Sequence, residues 1–74
     1  MANTNWNETA KRLLKAELAR RNISHKELAA RLQSHGVTIT RASIDSKLSR
    51  GTFSAAFFLQ CLTAIETRTL NLED

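Results

Sequence analysis

The sequence predicts an all-α domain of four short helices, and three observations carry that expectation. Small capping residues stand at Asn5, Ser24, Thr40 and Ser54, each ahead of a segment with apolar residues spaced by three and four. Two glycines and no proline are too few for the many tight turns of a sandwich or barrel. A chain of 74 residues with 42% hydrophobic content suits one core, so a single domain over 1–74 is expected.

The first helix is expected to start at Asn5, with Glu8 in the capping-box position, and to run to about Arg21. Ala10, Leu13, Leu14 and Leu18 make its inward stripe, and Asn22 suits the left-handed stop. The second, about His25 to Ser34, has Ser24 as cap, Glu27 in the capping-box position and Ile23 placed to staple on Leu28. Leu28, Ala29 and Leu32 face inward, and Gly36 provides the stop. Thr40 caps a short third helix ending near Arg50, with Ile39 stapling on Ile44, Ile44 and Leu48 inward, and Gly51 as its stop. Ser54 caps the fourth, Phe53 reaches Phe58, and the apolar run continues to about Ile65. Leu70 and Leu72 alternate with polar neighbours, which predicts either a short C-terminal strand pairing with residues 37–40 or an extended tail on the core.

Eleven Lys and Arg against seven Asp and Glu give a net charge of +4, which favours a polyanionic partner. Ten of the basic residues but only four of the acidic ones lie within residues 1–65, so the helical body is the positive part. One cysteine cannot make an internal disulfide, and no apolar run reaches the roughly 20 residues of a membrane helix. A cytoplasmic chain without a membrane-spanning segment is therefore expected.

Two helices joined by a turn, the second short with a small polar and basic outer face, form the helix-turn-helix arrangement that presents a recognition helix to the DNA major groove. Residues 24–50 fit it. With Ile44 and Leu48 inward, a rotation of about 100° per residue turns Ala42, Ser46, Ser49 and Arg50 outward, with Ser43 and Lys47 on a flank. Serines can bond base edges or phosphates, Ala42 can meet a thymine methyl, and Arg41, Lys47 and Arg50 can neutralise phosphates or read guanine. Asp45 is discordant and is expected to pair with a nearby Lys or Arg.

The tract LKAELARRNISHKELAARL followed by TRASIDSKLSRG resembles the phage-repressor-like (Cro-type) helix-turn-helix proteins, over about residues 13–51. The resemblance implies DNA binding, with Arg41, Ala42, Ser43 and Ser46 at recognition-helix positions and His25 and Lys26 at the start of the preceding helix, which touches the backbone. The chain departs from that pattern in a longer Gln33–Ile39 segment and in a four-residue spacing of Ile44 and Leu48 where three is common. From about Leu14 onward, SRGTFSAAFFLQCLTAI and LNLED resemble more closely a bacterial family of short proteins whose shared domain has no assigned activity.

The fourth helix has one stripe of Ala55, Phe58, Leu59, Leu62 and Ile65 and a second of Phe57, Cys61 and Ala64. One core rarely uses both, so the second stripe is expected either to be covered by the chain's own termini or to be a contact for a second copy or a protein partner. Cys61 is expected to be an inert buried thiol, and Trp6 either to cover the core or to stand exposed as an anchor for a partner. His25 and His35 lie too far apart, with a lone cysteine, for a zinc site. Without a phosphate loop or a nucleophile–base set, neither an enzyme nor a cofactor or small-molecule substrate is expected.

Overall fold

The computed structural model describes residues 5–72. Four helices, α1 (Trp6–Arg20), α2 (His25–Ser34), α3 (Arg41–Arg50) and α4 (Ala55–Ala64), make an all-α domain. Each begins at the expected cap. Asn5 Oδ1 accepts from the backbone N–H groups of Asn7 (3.0 Å) and Glu8 (3.2 Å), Ser24 Oγ from that of Glu27 (3.1 Å), Thr40 Oγ1 from that of Ser43 (3.1 Å), and Ser54 Oγ from that of Phe57 (3.0 Å). These side chains satisfy N–H groups that a helix start leaves without intrahelical partners. At α2 the reciprocal half of the capping box is not made, because the Glu27 carboxylate turns down the helix to the Arg31 guanidinium (2.8 and 3.0 Å).

The stops are left-handed residues. Asn22 (φ 54°), Gly36 (φ 83°) and Glu66 (φ 61°) each follow a helix end, and the next residue's N–H returns to a carbonyl five residues back: Ile23 to Leu18 (2.9 Å), Val37 to Leu32 (2.9 Å) and Thr67 to Leu62 (2.8 Å). This pattern satisfies carbonyls left open in the last turn. Nothing in the local sequence advertised Glu66, which adopts a conformation that costs a non-glycine residue about 1–2 kcal/mol.

α3 and α4 each pack on both α1 and α2. The shared core holds Leu14 and Leu18 of α1, Leu28, Ala29 and Leu32 of α2, Ile44 and Leu48 of α3, and Phe57, Cys61, Leu62 and Ala64 of α4, with Ile23, Ile39 and Ile65 from the connections. The Phe53 staple is a stacked ring pair with Phe58, centroids 5.9 Å apart.

Three expectations are corrected. Among the described residues there is no strand: the Ile39 carbonyl accepts from the Gln33 side-chain amide (3.0 Å), Ile39 is buried, and only Leu70 of the tail packs on the core while Leu72 stays 70% exposed. The 37–40 segment thus bonds its own helix pair rather than the tail. Trp6 does not cover the core but is 74% exposed, because the cap at Asn5 starts α1 before the stripe that begins further along it. On α4 the Phe57, Cys61 and Ala64 stripe faces the core, and Ala55 and Leu59 of the other stripe face out. Eight of the ten α4 residues are apolar (AAFFLQCLTA), so pattern alone left its rotation open. Phe57 also meets Phe53 at 5.6 Å between centroids, and Leu62 and Ile65 of the other stripe are buried too, so the core takes part of both stripes.

Among the described residues Glu17 is the buried carboxylate, 5% exposed, and it pairs with Arg20 (2.5 Å) and with Arg21. The Arg20 hydrogen bond holds its carboxyl below the usual range, against the upward push of burial and aided by Arg21. Its folded-state value lies below the free-chain value, so this stabilisation is fully present above the free-chain value and is lost as pH falls through the folded one.

Two predictions follow from these contacts. Glu17→Gln is expected to lower stability near neutral pH by roughly 1.5–3 kcal/mol, with the gap to wild type closing in strong acid; denaturant titrations across pH showing a constant gap would refute the assignment. Gly51 has φ 71°, and a Cβ there would lie 2.9 Å from the Asn7 carbonyl oxygen, whereas Gly36 has nothing within 4 Å of its Cβ position. Gly36→Ala is expected to cost about 1 kcal/mol and Gly51→Ala about 2 kcal/mol or more, a further drop of at least about 4 °C in the melting midpoint.

Candidate nucleic-acid interface

Because α3 spends only Ile44 and Leu48 on the core, its other positions are available to the surface. Arg41, Ala42, Ser46, Ser49 and Arg50 are exposed, and Ser43 and Lys47 are half-buried on the flanks. The short side chains of Ala42, Ser46 and Ser49 make this face slim, and the cations sit at its ends and edge. Lys47 is not a free arm: its Nζ lies over the Phe57 ring, 5.4 Å from the centroid. That attraction holds the charge beside the helix while an ammonium still has donors to offer.

Asp45 is the acidic residue on this helix, and it has a partner on two sides. Its Oδ1 meets His25 Nδ1 at 2.5 Å, and its Oδ2 lies 3.6 Å from Arg41 Nε. The Arg41 contact, one helical turn away, was legible from spacing. The His25 contact joins residues 20 apart and had no local signal. It ties the first turn of α2 to α3, so His25 is a tether between the helices rather than a free phosphate contact. Lys26, the next residue, is exposed.

The fold therefore brings Arg41, Ala42, Ser43, Ser46, Lys47 and Arg50 onto one helix, beside the start of α2 with Lys26. Residues 35–40 link α2 to α3. This connection is longer than the roughly 3–4 residues of a short helix-turn-helix turn, and its backbone is fastened by Gln33 and by Ile39 in the core.

Phe57, Cys61 and Ala64, expected either to be covered within the monomer or to be a contact for a partner, are 6%, 0% and 4% exposed and lie in the core. Burial pushes the Cys61 thiol up to about 12, so it stays protonated and unreactive at neutral pH. The exposed side of α4 instead shows Ala55, Ala56, Leu59, Gln60 and Thr63. Leu59, Gln60 and Thr63 line an open groove of about 280 Å³ with His35 and Val37. No described helix is long and apolar enough to cross a membrane.

The family model described as Domain of unknown function (DUF6471) matches residues 6–70, and the chain belongs to that family. No curated protein and no solved structure matches it.

Proposed function

Starting from membership in a family without an assigned activity, we propose that this domain binds double-stranded DNA, with α3 entering the major groove as the recognition helix of a helix-turn-helix pair and the protein acting as a transcriptional regulator. The observation that carries this reading is the division of α3 between two buried anchors, Ile44 and Leu48, and a slim, cationic outer face of Arg41, Ala42, Ser46 and Arg50. An α-helix fits the major groove only when the face it presents lets base edges come close. The pairing of Asp45 with His25 and Arg41 supports it further, since a bare carboxylate would repel phosphate. The resemblance of residues 13–51 to phage-repressor-like proteins points the same way.

In this reading Ser43 and Ser46 meet base edges, Arg41, Lys47 and Arg50 meet phosphates or guanine, and Lys26 holds the backbone from α2. His25 acts through Asp45. So few polar side chains give limited discrimination, at roughly 1–3 kcal/mol for each good base contact.

A second reading, contact with another copy of the chain, is favoured by α4. No residue of this helix is charged, and it leaves Leu59 61% exposed next to Ala55 and Ala56. Two cationic bodies approach most cheaply through a neutral face, and the small alanines let helix backbones come close. A face of one short helix is below the roughly 800 Å² per partner of a stable complex, so any such dimer is weak and suited to assembly on a two-fold DNA site.

Affinity for a random duplex library, titrated against salt, tests the first reading. Enrichment of a motif is expected, and Ser46→Glu is expected to weaken binding at least about 30-fold by placing a carboxylate against the groove. Unchanged affinity with intact helicity would remove α3 from the interface. For the second, sedimentation at increasing protein concentration is expected to show weak self-association in wild type and none in Leu59→Lys; a strictly monomeric wild type at millimolar concentration would exclude it.

A further inference from the structure

We propose that DNA binding by this domain is coupled to protonation of His25, which sets the charge of the Arg41–Asp45 end of the recognition helix. The inference rests on the DNA-binding reading above and deepens it by making the proton a regulator of that face.

The His25–Asp45 contact joins α2 to α3 through Nδ1 and Oδ1, 2.5 Å apart. An ionised carboxylate only accepts hydrogen bonds, so Nδ1 carries a proton wherever this contact is made. The proton gained or lost with pH is then the one on Nε2, and the ring changes charge without releasing Asp45. Side-chain exposures of 31% for His25 and 45% for Asp45 let that proton exchange with water while the helices stay packed. Arg41 Nε, 3.6 Å from Oδ2, completes the group. The charges of Arg41 and Asp45 cancel while His25 is neutral and leave a net positive charge once it is protonated.

The charges around this group do not titrate near neutrality. α2 packs on α3 and α4, and α4 carries no charged residue. On α3 the remaining cations are Lys47, held over the Phe57 ring, and Arg50, at the opposite end of the helix from Arg41. On α2 itself Lys26 is exposed and Glu27 is engaged by Arg31, while Arg21, in the turn ahead of α2, is engaged by Glu17. A lysine or arginine at position 25 would hold Asp45 with the same charge at every pH, whereas histidine is the residue type whose charge changes near neutrality. Phosphate brought to the Arg41 end of α3 therefore meets a neutral group at higher pH and a cationic one at lower pH, and affinity rises as pH falls. By reciprocity, bound duplex favours the protonated ring, so complex formation takes up protons. The added charge neutralises phosphate and steepens the salt dependence on the acid side.

The experiment follows binding of the full chain to a fluorescently labelled duplex selected from the library, by anisotropy, between about pH 5.5 and about pH 8. It uses wild type, His25→Gln and His35→Gln, each at several salt concentrations. The glutamine amide still donates to Asp45 but carries no charge at any pH. His35, the other histidine, lines the groove beside α4 and serves as the control. Wild type and His35→Gln are expected to bind at least about fivefold more tightly at the acid end, with a steeper salt slope there. His25→Gln is expected to bind at the wild type's alkaline level throughout. Calorimetry of wild type in two buffers of different ionisation enthalpy is expected to show net proton uptake on binding near neutrality, a readout that holds even where His25→Gln folds poorly. Wild-type affinity independent of pH, the same pH dependence in His25→Gln with intact helicity, or binding without proton uptake would each overturn this inference while leaving the role of α3 standing. Absence of duplex binding at both ends of the pH range, even at low salt, would remove the DNA reading and this coupling with it.

Discussion

The packing of Ile44 and Leu48 is the constraint on which the rest of the arrangement depends. Both are essentially inaccessible to solvent, in a cluster with Leu14, Leu28, Leu32 and Cys61 that draws on every helix. Full burial of each is worth roughly 1.5–3 kcal/mol, which is a thin attachment for a ten-residue helix. The ends of α3 are accordingly fastened by other means: Thr40 caps its start, Gly51 stops it, and Asp45 ties it to His25. Lys47 adds a flank contact through the Phe57 ring. Economy of apolar anchors is what frees the outer positions for small and charged residues.

Electrostatics on this face follow from the same geometry. A carboxylate in the middle of a cationic helix would work against binding an anion, yet Asp45 is also the residue that reaches α2. The structure reconciles the two by giving each carboxylate oxygen its own partner. Glu17 shows the buried version of this arrangement, with Arg20 and Arg21 on one carboxylate. Neither acid is left as an unpaired negative charge, so the positive character of the helical body is preserved.

Gly51 links the packing argument to the surface. Its left-handed turn ends α3, and its missing side chain admits the first turn of α1. The same residue that limits the length of α3 thereby determines what stands beside it. α4 starts soon after, and its rotation places Phe57 and Cys61 in the core while leaving a neutral face of Ala55, Ala56 and Leu59 outside. The molecule consequently offers two surfaces of different chemistry, one cationic and one uncharged.

Much of this was legible in the chain. The caps at Asn5, Ser24, Thr40 and Ser54 act within three residues, and the inward stripes of α1, α2 and α3 obey a single helical period, so local sequence determined the helices, their starts and the outer face of α3. Cooperative choices among helices were not legible. The rotation of α4 depended on how the shared core divided its two apolar stripes, taking Phe57, Cys61 and Ala64 of one and Leu62 and Ile65 of the other while leaving Ala55 and Leu59 outside, and the fate of Leu70 and Leu72 on whether residues 37–40 had bonds to spare. The His25–Asp45 tether and the docking of Asn7 on Gly51 join residues far apart in sequence. Capping and periodicity are short-range interactions that a sequence carries within a few residues, whereas burial and long-range contact exist only once the helices are assembled; the tertiary structure alone decided those.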